Sequence, residues 1–209
     1  PVRLAIIGAG QIGTWHAELM QNQAEGQLVA IADPSPATER VAERFGVQRY
    51  VDFETMLAKV KPDGVVVATP NQLHATAAKA CARHGVHILL EKPVADGVTE
   101  GRKLLDIVNQ AGVRMIVGHH RRFDPAARSA HEILNTGKIG NLQAVTATWA
   151  VRKHDLYFDA EWRRVEGGGP VLLNLIHDID MLRHLCGEIA TVYAELSSQA
   201  RGHEVEDTA

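Results

Sequence analysis

Short, nearly uninterrupted apolar runs recur through the first 120 residues, and a stretch of helical length separates each from the next. "RLAIIG" (3–8), "QLVAIAD" (27–33), "RYV" (49–51), "DGVVVATP" (63–70), "VHILLEKP" (86–93) and "VRMIVGHH" (113–120) read as six strands. Strands this continuously apolar are buried on both faces. With helices between them they form a parallel sheet through right-handed crossovers. The helices carry their own punctuation. The first spans about Gln11 to Ala24, and Pro34 and Pro36 close the second strand before a helix that stops at Gly46. Asp52 is placed to cap "FETMLAKV", and Asn71 to cap a helix ending at Gly85.

After about residue 120 the rhythm changes. "FDPAARSAHEILNTGKIG" reads as a helix with a glycine stop, and "LQAVTATWAV" (142–151) alternates like an antiparallel strand. Gly167–Gly169 with Pro170 precede the helix "VLLNLIHDIDMLRHLCG", and "ATVYAELSS" reads as a further strand. The expectation is an α/β chain: a doubly wound domain over 1–120 and an α+β domain over 121–209. The sequence stops on "GHEVEDTA" without a closing signal, so it is expected to end inside the second domain.

Composition narrows the classes. The net charge is −3 with both signs interspersed, which offers no basic field for nucleic acid or an anionic membrane. No apolar run approaches the roughly 20 residues of a membrane span. The N-terminus lacks the three-part pattern of a signal peptide. Cys81 and Cys186 stand far apart and read as buried thiols of a cytoplasmic protein.

Gly8, Gly10 and Gly13 stand in G-x-G-x-x-G spacing between the first strand and the first helix. In that context Gly8 permits the tight turn, Gly10 lets backbone approach a pyrophosphate, and Gly13 lets helix and sheet pack closely. The helix start, at Gln11 and Ile12, supplies N–H donors and a partial positive charge. Asp33 ends the second strand twenty residues after Gly13. An acidic side chain there accepts hydrogen bonds from the adenosine ribose and repels a 2′-phosphate, and no arginine follows directly. NAD is therefore expected over NADP.

Ligands of an open parallel sheet bind beyond the carboxyl ends of its strands. Three polar clusters fall at such ends: Thr69, Pro70, Asn71 and His74 after the fourth strand, Glu91 and Lys92 after the fifth, and His119 to Arg122 after the sixth. The first two clusters complete the expected cofactor-binding set.

In this order, "GAGQIG", "ATPNQLHA", "EKPVA", "GHHRRFDP" and "GGGPVLLNLIHDIDMLRHLCG" resemble the Gfo/Idh/MocA oxidoreductase family. The resemblance implies an N-terminal Rossmann domain followed by an α+β domain with a large, mostly antiparallel open sheet. It implies hydride transfer between a nicotinamide and the hydroxyl carbon of a sugar, polyol or related ring. It places Lys92 between the nicotinamide ribose and the reacting hydroxyl, as a catalytic residue that polarises a carbonyl or relays a proton, Glu91 on the nicotinamide ribose or orienting Lys92, and a cis bond before Pro93. It makes His177 the general acid/base, a role suited to a group whose ordinary pKa of about 6.5 lies near working pH. His120, Arg122 and Asn174 join His177 as expected substrate contacts. Trp162 and Arg163 stand either at cofactor and substrate or as an anchor of the second domain. One departure stands out: many members carry an aspartate four residues before this histidine, where this chain has Leu173.

His177, Asp180 and His184 share a helical stripe, yet no metal is expected, because the family chemistry uses none and Asp180 can pair with Arg183 or His184. Two other functions use the same scaffold: a reductase of keto or imine substrates, and a catalytically silent NAD-binding sensor. An incomplete second sheet would leave open edges, so a homodimer or homotetramer through that sheet is expected.

Overall fold

The apolar runs form one six-stranded sheet in which every adjacent pair is parallel. Its strands are β1 (Val2–Ile7), β2 (Gly26–Ala32), β3 (Gln48–Tyr50), β4 (Gly64–Val67), β5 (His87–Leu90) and β6 (Met115–Val117), in the order β3-β2-β1-β4-β5-β6. The computed structural model describes residues 1–209, which divide into a unit over Pro1–Gly118 and another over His119–Ala209.

Alternation along the strands builds two cores. Ile6, Ile31 and Val66 point to one face, where they pack with Ala17 of α1 (Gln11–Gln21) and Ala42 of α2 (Glu39–Phe45). Ile7, Val65, Val67 and Leu90 point to the other, against Met56 and Leu57 of α3 (Phe53–Val60), the alanines of α4 (His74–Arg83) and Leu104 of α5 (Val98–Ala111). Each such large side chain taken out of water contributes about 1.5–3 kcal/mol. The sheet is thus doubly wound, and the chain steps from β1 outward to β3 before returning to β4. The reversal leaves a crevice at the carboxyl ends of β1 and β4.

Local signals behave as expected at several ends. Gly46 and Gly112 close α2 and α5 in left-handed conformation, and the Asp52 carboxylate accepts from Glu54 and Thr55 N–H at the start of α3. Two ends differ. α1 stops at Gln21 rather than near Ala24, because the Asn22 amide donates to the Glu18 carbonyl and the Asn22 and Gln23 N–H groups close onto Leu19 and Met20. Asn71 does not cap a helix; it lies inside a 3₁₀ turn, Asn71–Leu73, that leads into α4.

The second unit holds α6 (Pro125–Asn135), capped by Asp124 with Pro125 in its first turn, and α7 (Ile176–Cys186), which continues a π-helical turn at Val171–Leu175. The strands expected at 142–151 and in "ATVYAELSS" do not form, nor does the expected open sheet. The only pairing in this unit is an isolated antiparallel bridge, Ser197 to Thr208. Alternation specifies a face, but a strand also needs a neighbour to take its N–H and C=O groups. Every residue of 142–151 except Trp149 is exposed and none is paired. Cys186, expected to be buried, is exposed at the end of α7, whereas Cys81 is buried in α4. No helix is long and apolar enough to cross a membrane.

Candidate active site

The glycine turn is built as its chemistry requires. Gly8 has φ +92°, and a Cβ there would fall 2.6–2.7 Å from the main chain of Ala68 and Thr69, so the loops after β1 and β4 touch at the crevice. At Gly13 a Cβ would lie 1.9 Å from the Gly8 carbonyl oxygen. Gly10 is the opposite case: no atom lies within 4 Å of where its Cβ would stand. It opens α1 with no side-chain cap, and Gln11 and Ile12 lie exposed in the first turn. The turn therefore keeps an unfilled space beside uncapped N–H donors, which fits a pyrophosphate.

Asp33 follows β2, and its carboxylate accepts from Ala9 N–H and from Ser35 N–H, each at 2.8 Å. A carboxylate has about four acceptor positions, so capacity remains for ribose hydroxyls. Arg49, from β3, reaches this loop although it stands sixteen residues after Asp33 in the chain. Its guanidinium is spent on the carbonyls of Asp33, Pro34 and Ser35 at 3.0–3.1 Å, and on Thr38 and Glu39. On the β4 side, the Thr69 hydroxyl is buried and without a hydrogen-bond partner. An orphaned hydroxyl beside Gly8 is the kind of group a bound ligand satisfies. Pro70 is exposed next to it, and Asn71 is 3% exposed.

His74 has a different place from the one expected. It is 2% exposed, with Nδ1 2.6 Å from the Pro93 carbonyl and Nε2 2.9 Å from the Thr69 carbonyl. Burial is the strongest influence on the ring and holds it below the ordinary histidine range, against the pull of both carbonyls and Glu91. His74 is thus a buried tie between the loops after β4 and β5 rather than a cofactor contact.

β5 ends at Leu90, and the Lys92–Pro93 peptide bond is cis. Glu91 N–H donates to the Val67 carbonyl, and the Glu91 carboxylate lies 2.8 Å from His16 Nε2 of α1. A Cβ on Gly118 would come within 3.2 Å of that carboxylate, so any side chain there would press the carboxylate out of place by a few tenths of an ångström. Burial alone would raise the Glu91 carboxyl. The His16 hydrogen bond and charge, with Lys92, outweigh it and hold the group below the usual carboxylate value.

In the second unit His120 and His177 come together, their rings edge to face with centroids 5.0 Å apart. Asn174 donates to the Tyr157 hydroxyl at 3.2 Å. Leu173 is buried, and the π-turn over Val171–Leu175 winds wider than an α-helix, so the four-residue spacing to His177 no longer defines one face. Arg122, expected at the substrate, grips the buried Asp180 carboxylate at 2.6 and 2.8 Å, with its side chain 38% exposed. Asp180 therefore pairs with Arg122, with His119 at 3.6 Å, and not with Arg183, which holds Glu188. Trp162 lies under the Arg163 guanidinium at 5.0 Å, and the same guanidinium stands 4.2 Å from the Tyr157 ring.

Residues 2–119 match the family model for the "Oxidoreductase family, NAD-binding Rossmann fold", and residues 127–209 match the "GFO/IDH/MocA C-terminal domain". The chain belongs to the Gfo/Idh/MocA family. It is 34% identical over 189 residues to an inositol 2-dehydrogenase of Rhizobium meliloti (strain 1021), covering 90% of this chain and 56% of that protein. It is 29% identical to the rhizopine catabolism protein MocA of Rhizobium meliloti, covering 94% and 61%. Among solved structures, the WlbA dehydrogenase of Bordetella pertussis, in complex with NADH and UDP-GlcNAcA, superposes with a TM-score of 0.93 at 29% identity, over 99% of this chain and 64% of that one. The chain thus spans less than two thirds of the relatives it matches.

The N-terminal unit is the family's NAD-binding Rossmann domain. His16, Gly118 and Arg49 were not singled out from the sequence. His16 could have been noticed, since it lies only six residues beyond Gly10 on the helix that the glycine turn opens. Gly118 and Arg49 carry no local signal, because their roles depend on what the fold brings beside them.

Proposed function

We propose that the protein is an NAD-dependent oxidoreductase that moves a hydride between nicotinamide and a CH–OH carbon of a sugar, polyol or related cyclic compound. One observation carries the reading: the helix opened by the dinucleotide turn and the turn holding Lys92 meet directly, through His16 and Glu91 at 2.8 Å. Bound NAD supplies the two-electron acceptor. Lys92 hydrogen-bonds the reacting oxygen and stabilises negative charge on it as the proton leaves. Glu91 orients Lys92 and accepts from a ribose hydroxyl. His177 takes the hydroxyl proton as general base, with His120 packed against its ring. Asn174, next in the chain to the buried Leu173, offers a substrate hydrogen bond but no proton acceptor. Asp33 favours NAD by presenting negative charge where a 2′-phosphate would stand.

The substrate class draws support from relatives named as inositol dehydrogenases and from the WlbA complex with UDP-GlcNAcA. The same reading has the protein act as a homodimer or homotetramer through the second unit, where Val192, Tyr193 and Leu196 expose apolar surface.

The test is an NADH absorbance assay across a library of polyols, sugars and nucleotide sugars. Lys92→Ala and His177→Ala should each lower kcat by about 10²–10⁴-fold while NADH affinity stays within about threefold of the wild type. Undiminished turnover in the doubly substituted protein would refute the assignment. NADH binding without turnover on any substrate would favour a silent sensor, the reading that the buried Leu173 supports.

A further inference from the structure

Glu91 stands beside Lys92 in a place that leaves its carboxylate little freedom. Its own N–H is committed to the Val67 carbonyl at 2.9 Å, and Gly118, bonded to the Leu90 carbonyl at 2.8 Å, forms a close wall without a Cβ. His16 also reaches this carboxylate, its Nε2 lying 2.8 Å from Glu91 Oε1. The side chains are 22% and 16% exposed, so this is no solvated surface pair of negligible worth.

We infer that His16 is a positioning residue of the reaction centre. It fixes the Glu91 carboxylate through one oxygen, keeps Oε2 for the cofactor or Lys92, and couples the dinucleotide helix to the turn after β5. The inference rests on the oxidoreductase reading above. Three features support it. A half-buried carboxylate without donors would move towards its neutral form, and His16 supplies a side-chain hydrogen bond at 2.8 Å beside that of the Lys92 backbone N–H. The pair joins residues 75 apart in sequence, so it fixes the distance between two elements that local structure leaves independent. Finally, α1 carries Gly10 and Gly13 at one end and His16 within two turns, so a shift of the helix at the pyrophosphate end is transmitted to Glu91.

The experiment compares wild type, His16→Ala, His16→Gln, Glu91→Ala and the His16→Ala/Glu91→Ala double variant. NADH affinity is read by fluorescence titration, kcat and KM by turnover, and folding by thermal unfolding. Loss of a hydrogen bond to a charged group should weaken NADH binding or kcat/KM by about 10–100-fold in His16→Ala. A glutamine amide can donate from nearly the position of Nε2, so His16→Gln should return to within about threefold of the wild type. In the Glu91→Ala background the His16→Ala change should have less than about a twofold further effect. Equal losses in the alanine and glutamine variants, or an undiminished His16→Ala effect without Glu91, would overturn the inference. A wild type that binds NADH but oxidises nothing would defeat the oxidoreductase reading alone, and the titration would still decide the role of His16.

Discussion

Substituting Gly10 and Gly13 separately divides folding from ligand binding, because the space around the two differs so much. At Gly10, φ is −68°, and a methyl group would meet nothing within 4 Å. Gly10→Ala should therefore leave stability within about 0.5 kcal/mol of the wild type. The methyl would fill the space left beside the uncapped start of α1, where a pyrophosphate must approach backbone N–H groups. Displacing one hydrogen bond to a charged oxygen costs about 1.5–3 kcal/mol, which is roughly a 10–150-fold rise in the Kd for NADH. Gly13→Ala should fail differently. Its methyl would stand 1.9 Å from the Gly8 carbonyl oxygen and 3.3 Å from Ile6 Cγ2, so helix and turn must part. Overpacking against main chain costs about 1–3 kcal/mol or more, visible as a lower urea midpoint before any ligand is added. The assay pairs urea unfolding with fluorescence titration of NADH. A Gly10→Ala protein that binds NADH as tightly as the wild type would show that the pyrophosphate does not pass over this residue. A Gly13→Ala protein of unchanged stability would refute the steric account.

Two further outcomes follow from buried ionisable groups. Burial alone would raise the Asp180 carboxyl, but the Arg122 hydrogen bonds and the charges of His119, Arg122 and His184 outweigh it and hold the group below its ordinary value. A depressed folded-state pKa stabilises the fold fully above the unfolded value of about 3.9, and the gain is lost as pH falls through the lower folded value. Asp180→Asn should thus cost about 1–3 kcal/mol at neutral pH, less than a fully buried pair because Arg122 is partly exposed, and the deficit should shrink in urea melts near pH 3. Burial pushes the Cys81 thiol up to about 12, while Cys186 is exposed. An aromatic disulfide reagent should therefore label Cys186 alone in the native protein and both thiols in denaturant; rapid native labelling of Cys81 would contradict its burial.

Much of the first unit was legible because its signals are short-ranged. Gly13 is demanded by the Gly8 carbonyl five residues earlier and Gly8 by its own positive φ, and Gly46, Gly112 and Asp52 act on their own helix ends. The continuous apolar strands could only be covered on both faces. Glu91, Lys92, Asp33 and the glycines, singled out by residue type and spacing, all lie just beyond the carboxyl ends of strands of the parallel sheet. Polar partners were another matter. His74 carries the same residue type whether it meets a cofactor or ties Thr69 to Pro93, and Arg122 reads as a free cation until Asp180, 58 residues later, closes on it.

The amino-acid sequence by itself determined the succession of strands and helices along the first unit, the helix stop at Gly46, the dinucleotide turn and the charged end of β5, since each follows from local sterics and periodicity. Only the tertiary structure decided that His16 faces Glu91, that Gly118 makes room for its carboxylate, that Arg49 braces the Asp33 loop, and that 142–151 pairs with nothing. Those outcomes depend on groups distant in sequence competing for the same few donors and acceptors, and the competition is settled only when the elements have packed.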